Sequence, residues 1–282
     1  MKTDLIYGVE DRPPFKDALF AALQHLLAIF VAIITPPLII ASALKLDVEK
    51  TSFLVSMSLF ASGVSTFIQC RRIGPIGAKL LCIQGTSFSF IGPIIATGLV
   101  GGLPLIFGSC IAAAPIEMVV SRTFKYLRNI ITPLVSGIVV LLIGLSLIKV
   151  GIVSCGGGYG AMDDGSFGSW ENLSIAALVL LSVLFFNRCK NKYLRMSSIV
   201  FGLCLGYGLA FALGKVNMSA LNVEMLMSFN IPQPFKYGID FNISSFIAIG
   251  LVYLITAIEA TGDVTANSMI SGLPIEGDSY LK

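Results

Sequence analysis

From Leu80 to Ile116 the chain runs without a charged residue, and this stretch constrains the fold more than any other. A soluble strand or core helix is rarely this long and this apolar, whereas a membrane span needs ~20 predominantly apolar residues. In hydrocarbon the backbone must satisfy its own hydrogen bonds, so such a run folds as helix or as a closed barrel. No period-two alternation is seen, and helix is the expectation. The segment Gly98-Leu-Val-Gly-Gly-Leu-Pro104 divides the run, because glycine and proline cluster where helices break.

The same character recurs along the whole chain. Of 282 residues, 55% are apolar and 12% charged, against about 25% charged in soluble domains. The chain is therefore an all-α polytopic membrane protein. Spans are expected near 18–43, 52–70, 78–97, 103–121, 130–149, 172–187, 195–214 and 243–266. The first run is too long for a signal-peptide core and lacks a small-x-small end, so it is a retained span. The net charge of +3 implies no nucleic-acid partner. The six cysteines stand alone without CxxC spacing, which points to neither a disulfide framework nor a metal site. No phosphate-binding loop or nucleophile elbow is present. The chain reads as a carrier and not an enzyme, with no cofactor and no catalytic residue, and an ion gradient would supply the energy.

Basic residues set the expected orientation. Even-numbered connections carry Arg71, Arg72 and Lys79, then Arg122, Lys125 and Arg128, then Arg188, Lys190, Lys192 and Arg195. Odd-numbered connections carry Lys45, Lys50, Lys149, Lys215 and Lys236 alone. Even loops are thus cytoplasmic, with both ends of the chain inside. Trp170, in the glycine-rich outer loop 150–171, is expected to anchor at the membrane interface.

Four polar features interrupt the apolar spans. Glu259 and Asp263 lie one helical turn apart at the end of the charge-free stretch from Ile243 to Ile258. An isolated ionised side chain at membrane depth costs at least ~2.5–3.5 kcal/mol and usually faces a cavity. Glu259 is a proton carrier, a substrate hydrogen-bond acceptor, or both, unless the span ends there and both acids are solvated. Asp263 tunes it, binds the coupling ion or caps local backbone. Gln24 and His25 lie in the first span, and His25 is the only histidine. Either it packs against a neighbouring helix, or it lines the transport cavity, or it orients the region of Glu259. Gln84-Gly-Thr-Ser-Phe-Ser-Phe90 sets small polar residues and a glycine in the third span. Such a stretch suits either locally unwound backbone beside a cavity or ordinary small-residue packing. Phe88 and Phe90 offer faces for a flat ring. Glu117, one turn from the basic loop that begins at Arg122, is expected to snorkel inward.

Taken in order, several segments resemble the nucleobase–cation symporter family of uracil and xanthine permeases, most closely its bacterial xanthine permease branch. They are Leu5-Ile-Tyr-Gly-Val-Glu-Asp-Arg-Pro-Pro14, Gln24-His-Leu-Leu-Ala28, Ser56-Met-Ser-Leu-Phe-Ala-Ser-Gly63, Ile83-Gln-Gly-Thr-Ser-Phe88, Ile131-Thr-Pro-Leu-Val-Ser-Gly137, Ile143-Gly-Leu-Ser-Leu147, Gly156-Gly-Gly-Tyr159 and Glu259-Ala-Thr-Gly-Asp263.

The resemblance implies fourteen spans in two inverted repeats of seven, with spans one to four and eight to eleven as a core domain and the rest as a gate. On this chain that gives a cytoplasmic segment 1–17, core spans 18–121, gate spans 122–214, an outer loop 215–242, and the eighth span with a shortened C-terminus over 243–282. The family is longer than this sequence, so a fragment or a truncated reading frame is expected, unstable and inactive alone. The implied function is proton-coupled uptake of a purine, foremost xanthine, at the bacterial inner membrane. Urate or uracil transport, or a non-transporting fragment, are the alternatives. The implied partners are the purine, protons, the bilayer and, if complete, a second copy in a homodimer. The implied substrate-binding residues are Glu259, Phe88, Ser89, Gln84 and Thr86; Glu259, Asp263, His25 and Gln24 couple or orient protons. Ser89 stands where xanthine permeases carry asparagine and urate-type relatives threonine.

Overall fold

The computed structural model describes residues 7–8, 10–74, 76–127, 151–190, 194–195, 197–216 and 231–271, with isolated positions between 138 and 149. Its elements are helices, as expected: α1 (Phe15–Ala43), α2 (Val48–Arg71), a 3₁₀ turn (Phe88–Phe90), α3 (Ile91–Leu127), α4 (Gly158–Asp163), α5 (Trp170–Asn187), α6 (Ser198–Ala212) and α7 (Ile243–Ile270). Pairing of extended backbone among the described residues is limited to one isolated bridge, Ile73 with Ile76, in the turn after α2. Among the described residues, five helical stretches are long and apolar enough to cross a membrane: Phe15–Ala43, Val48–Arg71, Phe88–Val120, Trp170–Asn187 and Ile243–Thr261.

The chain forms two compact units. The first comprises residues 1–13, 33–146 and 232–282; the second comprises 14–32 and 147–231. In the first unit α7 packs along α3 and reaches the 3₁₀ turn. Gly250 makes the approach possible, since a Cβ there would lie 2.7 Å from Ile116 Cδ1. The core of this contact includes Ile249, Val252, Ala113 and Ile106, all buried. In the second unit α5 packs on α6, with Gly202 and Gly206 of α6 facing Val183 and Val179.

The boundaries depart from the sequence expectation in several places. The third span does not begin as helix at residue 78: residues 81–87 form no regular secondary structure, and helix starts only at the 3₁₀ turn. The expected division at 98–104 takes the form of a kink inside α3. Gly102 has φ 67° and ψ −160°, a conformation open essentially to glycine alone. The expected seventh span is a helix of 15 residues, about 22 Å long and short of a ~30 Å hydrocarbon layer. The expected fifth span, 130–149, lies outside the described residues except at isolated positions.

The helix of the eighth span runs on to Ile270, while its stretch apolar enough to cross a membrane is Ile243–Thr261. Glu259 and Asp263 both sit within α7, Glu259 inside that stretch and Asp263, which is exposed, just past it.

Candidate functional site

Non-helical backbone at membrane depth needs a partner for each polar group, because unpaired groups in hydrocarbon cost several kcal/mol each. The segment 81–87 finds its partners on three helices. Ser62 and Thr66, one turn apart on α2, clamp Gln84 from one side. The Gln84 N–H donates to Thr66 Oγ1 at 2.9 Å, and Ser62 Oγ donates to the Gln84 carbonyl. Asn267 of α7 donates through Nδ2 to the Leu81 carbonyl at 2.7 Å.

The third partner comes from a sequence-level defect in α1. Proline at 37 has no N–H, so the Ile33 carbonyl lacks the donor that a helix would supply four residues on. Thr86 Oγ1 fills the gap, donating to Ile33 O at 2.9 Å. Ser87 then ends the non-helical run, its Oγ accepting from the Ser89 N–H at 3.3 Å as the 3₁₀ turn begins.

This segment and α7 lie side by side. One end is marked by the Asn267–Leu81 hydrogen bond, the other by the edge-to-face contact of Phe90 and Tyr253, with ring centres 5.0 Å apart. Residues 253 and 267 are separated by roughly 21 Å of helix, and Glu259 lies between them. Its Oε2 is buried without a hydrogen-bond partner among the described residues, and so is Ser89 Oγ. Buried polar atoms in native proteins are overwhelmingly paired. The two atoms lie on neighbouring elements, α7 and the 3₁₀ turn. Asp263 is exposed, one turn from Glu259 and close enough for its charge to act on it.

A cavity of about 370 Å³ has walls that include Gly85, Thr86, Ser87, Phe90, Ser58 and Tyr253; Glu259 and Ser89 are not among its lining residues. Of the residues expected to bind substrate, Thr86 lines it. Gln84 does not; its side-chain amide turns back to the Cys82 carbonyl at 3.3 Å. Phe88 is half-buried on the 3₁₀ turn and is not among the lining residues. His25 is exposed on the part of α1 that belongs to the second unit, and the Gln24 side chain lies outside the described residues. Glu117 is half-buried on α3.

Sequence reasoning missed Tyr253, Ser58 and the Pro36–Pro37 pair, all in the cavity wall. The tandem prolines were a readable signal, since each removes a helical donor and frees a carbonyl for some other group. Tyr253 carried no comparable signal, because a tyrosine in an apolar span also fits plain packing. Its hydroxyl donates to the Cys110 carbonyl of α3 at 3.4 Å.

Comparison with known proteins agrees with this architecture. The model of a family described as "Permease family", for xanthine and uracil permeases, matches residues 16–282. Xanthine permease XanP of Escherichia coli is 46% identical over 99% of this chain and 62% of its own length. Xanthine permease XanQ of the same organism is 47% identical over 99% of this chain and 61% of its own. Uric acid permease PucJ of Bacillus subtilis is 34% identical over 93% and 58%. The chain thus spans about three fifths of the length of the curated relatives it matches. On the strength of that match and of its membrane-length helices, this is a multi-pass membrane protein that belongs to the xanthine/uracil permease family.

Proposed function

We propose that the protein is a proton-coupled purine permease of a bacterial cell membrane, with xanthine as its foremost substrate. The N-terminus is cytoplasmic, by the distribution of Lys and Arg. The observation that carries the site assignment is the pair of buried, unpartnered oxygens, Glu259 Oε2 and Ser89 Oγ. An oxopurine offers ring N–H groups to the first and ring carbonyls or nitrogens to the second. Phe88 and Phe90 supply aromatic faces close by. Thr86 and the backbone around it, already held by Ile33, Ser62 and Thr66, need no rearrangement to receive a ligand, and preorganisation of this kind lowers the cost of binding. The names of the relatives support the cargo class: two are xanthine permeases and one a uric acid permease.

The position of Glu259 supports proton coupling. A charged carboxylate is costly to carry across hydrocarbon, and protonation removes most of that cost. Glu259 therefore binds substrate on one side and gives up its proton on the other, while Asp263, at the exposed end of the turn, biases its charge state.

The test is Glu259→Gln in the whole protein, expressed in cells stripped of their own purine permeases. The amide keeps the shape and removes both the charge and the titration. Losing a charge-assisted hydrogen bond worth ~1.5–3 kcal/mol should weaken xanthine recognition roughly 10- to 150-fold and abolish acceleration of uptake at acidic external pH. Undiminished, acid-stimulated xanthine uptake in this variant would refute the assignment.

A further inference from the structure

A second cavity, of about 460 Å³, adjoins the first within the same unit and shares Leu54, Ser58 and Phe107 with it as common wall. Its far side is closed by residues 232–237, Pro-Gln-Pro-Phe-Lys-Tyr. This strap is a built element. The Asp240 N–H donates to the Pro104 carbonyl of α3 at 3.0 Å. Next to that bond Gly108 admits the strap so closely that a Cβ would lie 1.8 Å from Asp240 O. Within the strap the Gly238 N–H donates to Phe235 O at 2.8 Å.

Aromatic rings and donors dominate the cavity. Phe107 and Tyr237 lie parallel within 9°, their centres 6.2 Å apart, and Phe53 meets Tyr237 edge-on at 5.6 Å. The Lys236 ammonium sits 4.3 Å above the Phe53 ring. Its ion partner, Glu49 Oε1, is 3.6 Å away, too far for a hydrogen bond, so the ammonium donors are not consumed by Glu49. The Tyr237 hydroxyl oxygen is buried and has no hydrogen-bond partner. The cavity thus presents flat apolar faces with two donors, one of them buried and unanswered.

We propose that this cavity is a second binding site, an antechamber that holds a planar heterocycle bearing ring carbonyls before it reaches the site beside Glu259. The class follows from the chemistry of the walls. Parallel aromatic faces favour a flat ring, and the volume lies in the range of small-molecule sites. The Tyr237 hydroxyl and the Lys236 ammonium both call for acceptors. Glu49 offsets the charge of Lys236, which favours a neutral carbonyl over a phosphate or other full anion. An acyl chain would fill the space and leave the Tyr237 donor unanswered. The antechamber rests on the purine-permease reading for its place on a transport path, and its test separates the two.

The experiment measures equilibrium binding of radiolabelled xanthine to the purified whole protein carrying Glu259→Gln. A weaker, saturable site should remain in that background. Adding Tyr237→Phe, which keeps the ring and removes the donor, should weaken the remaining site about five- to tenfold, and Lys236→Gln should do the same. Gln233→Cys provides an independent readout, placing a reporter thiol in the cavity wall away from both donors. Labelling at position 233, followed by mass mapping, should slow at least threefold when xanthine is present. No residual binding in the Glu259→Gln background overturns the antechamber. So does residual binding indifferent to both added substitutions, or labelling at position 233 that xanthine does not slow. If Glu259→Gln alone leaves all binding and uptake unchanged, the inner-site reading fails, while the Tyr237→Phe and labelling results still decide the antechamber.

Discussion

Pro37 and Thr86 show how one residue's missing atom can specify another residue's side chain. The ring at 37 removes a donor from α1, and Thr86, 53 positions beyond Ile33, supplies it to Ile33 O at 2.9 Å. Thr86→Val keeps the shape and leaves that carbonyl unpaired, which should cost ~1–3 kcal/mol and lower the thermal midpoint in detergent. Pro37→Ala restores the helical donor, so the double variant should be more stable than Thr86→Val alone. A double variant no better than the single would break the link. A second residue-scale prediction concerns Asp47, which caps α2 outside the apolar spans. Its carboxylate accepts from the Lys50 ammonium at 2.5 Å and from the Lys50 N–H at 2.8 Å, and these contacts hold its pKa below the usual carboxylate value. Since the folded value is the depressed one, the cap's contribution is present above the unfolded pKa and is lost as pH falls through the folded value. The carboxyl carbon of Asp47 should titrate with a midpoint below 3.8, and Lys50→Met should raise it. An unshifted midpoint would show the pair to be absent in solution.

Among the elements, α5 and α6 meet through glycine. A Cβ at Gly202 would lie 2.6 Å from Val183 Cγ2, and one at Gly206 would lie 2.3 Å from Val179 Cγ2. Small residues allow helices to approach closely where lipid supplies no hydrophobic drive. Gly206→Leu should overpack this contact and destabilise the second unit by ~1–3 kcal/mol, and Val179→Ala in the same chain should recover part of the loss. A Gly206→Leu protein as heat-stable as the parent would show that the helices do not meet there. The helical elements were legible because apolar length is a local property. The kink was legible at the level of a segment, 98–104, but not of the residue. Any of the three glycines there could have taken the φ of 67° that falls to Gly102. The start of the third span was half legible, since Gln84-Gly-Thr-Ser-Phe-Ser-Phe90 suited either unwound backbone or small-residue packing, and the hydrogen bonds with α1, α2 and α7 go with the unwound form.

For the whole molecule, the orientation drawn from Lys and Arg makes its own prediction. A cysteine placed at Gly158, in an otherwise cysteine-free chain, should react with a membrane-impermeant thiol reagent added outside intact cells. One placed at Arg72 should react only after permeabilisation. The reverse pattern would invert the topology. The candidate site was partly legible at this scale. Glu259, Thr86 and Ser89 stood out as polar groups in apolar runs, and their surroundings bear on that choice: two carry buried, unpartnered oxygens and the third braces the non-helical backbone. Gln84 stood out equally, yet its side chain serves the local backbone. Polarity in a span marks a group that needs a partner, without saying whether the partner is ligand or protein.

Taken alone, the sequence determined that this chain is helical, that it crosses the membrane repeatedly, and which family it joins. Each of these rests on information carried within a run of some twenty residues: apolar length, breaks at glycine and proline, and motif order. The tertiary structure alone decided that the third span opens as non-helical chain, that Tyr253 and Phe90 meet at one end of the site, and that residues 232–237 wall a second cavity. These depend on which distant carbonyl lacks a donor and which distant side chain can reach it. Such a pairing is settled by packing in three dimensions and leaves no trace in local composition.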